Sequence, residues 1–356
     1  MKYIFFTKTD WLEPPRLRHQ LARLLADAGH EIIFFQKPKF IINNYQYALD
    51  EKGIKLTRHS ELIHHRLRLA RVLCWLNSLW VMRSIKNILI GYPVSDDVVI
   101  VNFNYDYYFL RRLFKKNKII LIINDDFIST FGKIFKNYAG SIQKETCQIS
   151  NRILTVSTYL QRQLGDDCKP ELFLPWSNST YKKPIGGVKR DTLLLWGYIN
   201  QKIDFNLINN MAKQLGKADK NLRILIVGPV HRVEQEMDHL CKGYANVETL
   251  PATSLNELPI DRCFGAIIPY KSGIPWNDAI MLPNKALHLL SRGMPLLISG
   301  MPEFIKAQFI FRIDTDSTVG TVLEIRDKFS QFQSDIESFV KCNSAKKRLE
   351  QFMNIT

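Results

Sequence analysis

The 356-residue sequence predicts an α/β protein built from two doubly wound halves, each a parallel sheet with helices on both faces. Three observations carry this. Short apolar runs such as 98–103, 118–123 and 153–156 are near-continuous rather than alternating, as expected of strands covered on both sides. They alternate with stretches of helical period, the pattern of βαβ units. The texture then breaks at 165–191 into Gly, Asp, Pro, Ser, Asn and Lys, and a second strand–helix series starts at Thr192.

The elements follow in order. A strand over 3–7 leads through the polar loop Lys8–Pro15 to a helix over 16–28. Its apolar residues at 17, 21, 24, 25 and 28 keep helical spacing, Pro14-Pro15 suits a first turn, and Gly29 suits the stop. A strand over 31–36 completes a βαβ unit. Strands at 98–103, 118–123 and 153–156 alternate with helices near 106–116, 135–150 and 158–164. The second series reads as strand 192–196, helix 204–215, strand 222–227, helix 232–242, strands 246–250 and 264–268, helix 284–292 and strand 295–298. Helices over 316–341 and 345–353 close the chain. The expected domains are 1–178 and 190–340, with residues 341–356 a closing helix that packs back on the first. In such halves ligands bind at the strand C-terminal ends, here facing an interdomain cleft.

Composition narrows the function. Hydrophobic residues make up 46% of the chain and aromatics 11%, enough for two cores and too much for a disordered chain. Forty-nine Lys+Arg against 34 Asp+Glu leave +15, which implies an anionic partner. The excess is uneven: residues 1–180 hold 26 basic and 16 acidic side chains, the rest 23 and 18. Six cysteines, at 74, 147, 168, 241, 263 and 342, show no C-x-x-C or zinc spacing, so a reduced compartment, the cytoplasm, is expected. Lys8 and Asp10 cut short the apolar start, so no signal peptide is expected. The stretch 72–82 is half of the ~20 residues a spanning helix needs, so no transmembrane segment is expected.

Dinucleotide, P-loop, serine-hydrolase and zincin motifs are all missing. Asp314 and Asp316 resemble a cation pair but sit in a turn, where capping is the ordinary role. The informative stretch runs from Ile267-Ile268-Pro269-Tyr270 through Pro275-Trp276-Asn277-Asp278 to Pro283-Asn284-Lys285 and Gly293-Met294-Pro295. A strand delivers a polar loop, and the loop enters a helix at Pro283 with Lys285 in its first turn. Free N–H groups, the helix dipole and a lysine together suit a diphosphate.

This stretch resembles the donor-binding segment of GT-B glycosyltransferases, especially the family-four group and the related glucuronosyltransferases of bacterial polysaccharide assembly. Pro283, Lys285, Gly293 and Pro295 match their Pro-x-Lys start and Gly-x-Pro-Val-Val exit. The likeness runs over most of the chain. Arg16–Phe35 resembles their first helix and "GHEV" strand, Asn124–Phe127 an acidic strand end, and Thr155-Val156-Ser157 the "VTS" before the interdomain crossing. Trp196-Gly197-Tyr198-Ile199 and Val227-Gly228-Pro229 resemble the glycine-bearing strand ends of the nucleotide half. One departure stands out: His288 occupies the position of the ribose-binding glutamate, and that residue's partner position falls on Ile280. The paired-glutamate signature of the retaining members is therefore missing.

The resemblance implies a metal-independent transferase with two Rossmann-like domains. It moves a sugar from a nucleotide diphosphate sugar, with UDP expected, to a lipid-linked saccharide in bacterial surface polysaccharide assembly. The nucleotide sugar is a substrate, so no cofactor is expected. The donor is expected against Gly197, Lys202, Gly228, Pro229, Tyr270, Asn277, Pro283, Asn284, Lys285 and His288. A carboxylate base is needed to take the acceptor hydroxyl's proton, and inversion by direct displacement is the expected course. Asp126 is the first choice, with Asp125 and Asp10 as rivals; adjacent strand residues face opposite ways, so at most one of the pair serves. The plain alternative for either is a helix cap.

Residues 52–92 hold eight Lys/Arg and one acid, Glu61. His64, Arg68 and Arg71 fall on one face of a helix, with Trp75 and Trp80 beside them. Such a helix could meet an anionic membrane surface, placing the enzyme peripherally on the inner face of the membrane; packing its apolar side on the core is the ordinary alternative. The rival function is a non-catalytic or degenerate GT-B protein that binds a phosphorylated sugar or anionic polymer, which His288 favours. Nucleic acid is not expected, since the basic residues are not interleaved with stacking aromatics.

Overall fold

A computed structural model describes residues 1–13, 15–40, 48–50, 52–64, 67–68, 70–131, 133–314 and 318–356. Pro14 and Asp316, singled out above, lie outside them. The chain divides into two compact units, Met1–Leu174 with Leu349–Thr356, and Pro175–Arg348. The first unit ends four residues before the expected 178, and the returning segment starts at 349 rather than 341.

The strands are β1 (Lys2–Phe6), β2 (Glu31–Phe35), β3 (Lys39–Phe40), β4 (Ala48–Leu49), β5 (Lys55–Thr57), β6 (Ser60–Glu61), β7 (Val99–Asn102), β8 (Ile119–Ile123), β9 (Arg152–Thr155) and β10 (Glu171–Leu172) in the first unit. In the second they are β11 (Thr192–Trp196), β12 (Arg223–Val227), β13 (Val247–Leu250), β14 (Cys263–Pro269), β15 (Leu296–Ser299) and β16 (Ile310–Arg312).

The second sheet has the order β13-β12-β11-β14-β15-β16, all parallel. That is the doubly wound order 3-2-1-4-5-6, whose switch point lies between β11 and β14. Continuous apolar strands are what this requires: Leu193 and Leu195 pack into one core and Leu194 into another, on opposite faces. The first sheet, β10-β9-β8-β7-β1-β2-β5-β4, follows the same logic, with its switch point between β1 and β7 and β4 as an antiparallel edge. Aromatic pairs across the sheet tighten it, among them Phe6 and Phe35, whose centroids lie 4.7 Å apart.

Two expectations need correction. The helix placed at 106–116 shrinks to Leu110–Leu113, because Asp106 is drawn into ion pairs described below. The helix expected to carry His64, Arg68 and Arg71 on one face begins only at Arg71 and runs to Leu89, so those residues share no helical face.

Candidate functional site

The second unit's site is built at its switch point. β11 and β12 end in Gly197 and Gly228, at φ 122° and 148°. A Cβ on Gly228 would stand 1.8 Å from the Gly197 carbonyl oxygen, so the two turns interlock only without side chains. The Gly197 and Ile199 N–H groups donate to the carbonyls of Val227 and Pro229. Beyond β14, Tyr270 bridges to Ile203, and the Lys271 N–H donates to the Lys202 carbonyl. Backbone pairing thus draws the Lys202 loop against Tyr270.

Lys285 completes the group. Its ammonium lies 4.9 Å from the Tyr270 ring centroid, and its stem is 3.4 Å from where a Cβ on Gly197 would be. Burial pushes that ammonium down to about 8. Burial also pushes Tyr270 up, to about 12, against an opposing pull from Lys202. Neither Lys202 nor Lys285 forms an ion pair among the described residues. The Lys285 ammonium lies over the Tyr270 ring and the Lys202 charge acts on its hydroxyl, and neither lysine has a carboxylate partner among the described residues.

Pro283 is the N-cap and Asn284 the first residue of the helix Asn284–Leu290, which is only seven residues long. The anion-binding character therefore rests on the Lys285 ammonium more than on a helix dipole. Asn277 is fully buried; its amide donates to the Lys271 carbonyl while Oδ1 has no partner among the described residues. His288 stands edge-on to Trp196 at 6.2 Å, and burial, helped by Arg292, lowers its pKa, so the ring is neutral at pH 7.

In the first unit, Asp126 is a cap. It is 5% exposed, and its oxygens accept from the Ser129 N–H at 2.9 Å, the Ser129 hydroxyl, Gln163 Nε2 at 3.0 Å and the Tyr159 hydroxyl at 3.3 Å. Four donors occupy its two oxygens. Asp125, in the bend beyond β8, has half its side chain exposed; its Oδ2 accepts from Asn124 Nδ2 at 2.6 Å and lies 3.7 Å from Arg18 Nη2. Asp10 is ion-paired with Arg58.

Among the membrane-facing candidates, Arg68 is corrected outright. It is 7% exposed, pairs with Glu61 and, at 2.7 Å, with Asp106, and donates from Nε to the Ile63 carbonyl at 2.7 Å. Asp106 also accepts from Lys8 at 2.7 Å. These four charges form a buried neutral chain. Arg71 is exposed and paired with Glu145 at 2.8 Å, and Trp80 donates to Ser60 at 3.0 Å.

The helix Arg71–Leu89 packs Val81, Ile85 and Ile88 into the core, and the same face carries Asn77, Ser78 and Ser84; Asn77 accepts from the N–H groups of Leu62 and Ile63, and Ser84 from that of Ser60. Its solvent face carries Val72, Trp75, Leu76, Leu79 and Trp80, all 39–65% exposed. No helix among the described residues is long and apolar enough to cross a membrane.

Sequence reasoning missed Arg18, which lines a cavity at the first unit's switch point. A signal existed: Arg18 shares the buried helical stripe of Leu21, Ala22 and Leu25, where an arginine needs a reason.

No family model matches the chain, and no curated protein does. Solved structures do. Sucrose-phosphate synthase from Thermosynechococcus elongatus aligns with a TM-score of 0.69 at 12% identity, over 99% of this chain and 97% of that one. The lipopolysaccharide outer core galactosyltransferase WaaB gives 0.66 at 10%, over 99% and 98%. Anabaena HepE in complex with UDP gives 0.68 at 9%, over 99% and 98%. At such identities the likeness shows the fold, and the fold is GT-B, with two Rossmann-like units.

Proposed function

We propose that the chain is a glycosyltransferase whose second unit holds a UDP-sugar and whose first unit holds the acceptor. The observation that carries this is the pair of unneutralised lysines, Lys202 and Lys285, at the β11/β14 switch point. A diphosphate supplies the missing negative charge, and the interlocked Gly197 and Gly228 turns let it approach the backbone. The same lysines would stabilise the diphosphate as it departs, the moment when its charge is greatest. HepE was solved with UDP, which makes UDP the first nucleotide to test.

For the base, the geometry favours Asp125 over Asp126, since Asp126 is consumed by capping while Asp125 is half exposed at a strand end. Inversion by direct displacement remains the proposed course, because His288 and Ile280 stand where the retaining members carry glutamates.

The proposed acceptor is a lipid-linked saccharide, with the enzyme cytoplasmic and peripheral to the inner face of a bacterial membrane. The exposed stripe Val72–Trp80 supports it, extended by Arg83 and Lys86, which are exposed and form no ion pair among the described residues. Apolar and aromatic groups flanked by free cations suit an anionic lipid surface. That the neighbour WaaB is a lipopolysaccharide galactosyltransferase agrees with such an acceptor. A non-catalytic GT-B binder is the second reading, favoured by His288, whose ring makes no hydrogen bond among the described residues. Release of UDP from UDP-sugars with transfer to an acceptor separates the two. Binding of UDP without any turnover would select the binder.

A further inference from the structure

The first unit contains a cavity of about 490 Å³ at its own switch point, within the range of small-ligand sites. Lys8 enters it from beyond β1, Phe103 and Tyr105 from beyond β7, Phe127 from beyond β8, and Glu61 from β6. The inward charges are balanced. Lys8 is held by Asp106, Glu61 by Arg68, and Arg18, another lining residue, is paired with Asp125. Lys37 and Lys39 also line the cavity but are exposed to solvent. Each buried cation of the lining thus has its carboxylate, and this cavity does not call for an anion as the second unit's site does.

Balanced charge still leaves hydrogen bonds to be made. Glu61 is the one carboxylate among the described lining residues, and it gives only Oε2 to Arg68. Its Oε1 makes no hydrogen bond among the described residues and is not one of the sealed, unpartnered polar atoms, so it shares in the 6% of the side chain that stays accessible. A carboxylate accepts at both oxygens, and Oε1 has lone pairs to fill. Lys8 Nζ donates to Oδ1 and Oδ2 of Asp106, both at 2.7 Å, which leaves the third N–H of the ammonium on a side chain 21% exposed. Asp106 and Arg68, which join the two, do not line the cavity. The chain of four charges therefore presents its two ends, one acceptor and one donor, to the same space. The Glu61 charge acts on Lys8, so the ends are near each other, and their ion pairs fix them in place.

A hydroxyl both donates and accepts, and a ring carrying several satisfies both ends without adding charge. The walls suit the apolar face of such a ring: Tyr105 and Phe127 stack with centroids 6.2 Å apart, and Phe103 lines the same space. We propose that the cavity binds one neutral sugar ring of the acceptor, one hydroxyl donating to Glu61 Oε1, another accepting from Lys8 Nζ, and the ring's C–H face lying on the aromatic wall. This rests on the first unit being the acceptor side. Glu61 then selects against a carboxylate or phosphate on that ring, since like charge would face Oε1.

Ligand-observed saturation-transfer NMR on the full-length protein, with UDP saturating, tests it. The probes are the methyl glycosides of glucose, galactose, mannose and N-acetylglucosamine, with methyl glucuronide as the anionic counterpart. At least one neutral glycoside should bind, and more tightly than the glucuronide. Glu61→Gln keeps the size of the side chain and removes its charge; it should weaken that glycoside at least tenfold while stabilisation by UDP is unchanged. Phe127→Ala should weaken the same glycoside at least threefold. No binding by any neutral glycoside, tighter binding of the glucuronide, or an affinity unchanged in Glu61→Gln overturns the proposal. If Glu61→Gln fails to fold, Phe127→Ala decides by the same rule. Thermal stabilisation of the parent by UDP is read separately: its loss sinks the donor reading, whereas its presence with no glycoside bound sinks only this one.

Discussion

The two units handle positive charge in opposite ways. In the first, which carries most of the excess, the cations singled out by the sequence are cancelled: Lys8 and Arg68 by Asp106 and Glu61, Arg58 by Asp10, Arg71 by Glu145. In the second, which carries less, Lys202 and Lys285 are left without a carboxylate beside Tyr270. Net charge thus says little about where an anion goes. What matters is which cations the fold brings together and leaves unpaired, and by that measure the basic run 52–92 loses Arg58, Arg68 and Arg71 to carboxylates.

The largest expected effect breaks the first unit's cancelled chain. Arg68→Glu should cost about 3–5 kcal/mol or prevent folding, since it leaves Glu61 and Asp106 buried with no guanidinium between them. Urea denaturation measures it; a loss under ~1 kcal/mol would mean the pairs are not buried as described. Second in size is Gly228→Ala, which drives a methyl into the Gly197 carbonyl. A loss of about 3 kcal/mol, with UDP binding abolished, is expected from denaturation and calorimetry.

Third is Lys285→Ala, expected to weaken UDP at least tenfold, about 1.4 kcal/mol or more for a charge-assisted contact. Here pH gives two signs at once. Burial holds the Lys285 ammonium near 8, below its ordinary 10.5, so between these values the unfolded chain binds more protons and the unliganded protein gains stability as pH rises. UDP needs the charged ammonium, so its affinity should fall over the same range. Lys285→Arg, which stays charged, should flatten the decline in affinity. The smallest effect is at the surface. Serine at Val72, Trp75 and Leu79 should reduce sedimentation with anionic vesicles while changing stability by less than ~1 kcal/mol. Unchanged sedimentation would remove the membrane part of the reading.

The parts legible in the sequence were those set by local pattern. The continuous runs at 119–123 and 192–196 mark strands buried on both faces, and they became β8 and β11. Pro283 and Gly293 bracket a short helix because a fixed φ suits a start and a left-handed φ, here 72°, suits a stop. Long-range pairing was not legible. Arg68 was placed at a membrane because its partner Asp106 lies 38 residues away, and nothing in residues 52–92 announces that carboxylate. The helix Arg71–Leu89 misleads a reader of amphipathicity, since Asn77 and Ser84 are buried to satisfy the N–H groups of neighbouring strand and loop residues. Asp126 was legible as a strand-end acid, but its four donors come from the next turn and from Tyr159 and Gln163, a helix away. The lysines at 202 and 285 could be suspected singly; the Ile203–Tyr270 bridge that draws the Lys202 loop against Tyr270 is a long-range pairing that no local pattern announces.

The central claim is that Lys285, unpaired in the protein, is neutralised by the diphosphate of a UDP-sugar. Thermal unfolding with and without millimolar UDP, for the parent and for Lys285→Ala, tests it most directly. The parent should be stabilised by about 2.7 kcal/mol when UDP stands at a hundred times Kd, and Lys285→Ala by about 1.4 kcal/mol or less at the same concentration. A parent whose melting temperature does not move, or a variant stabilised as fully as the parent, would contradict it.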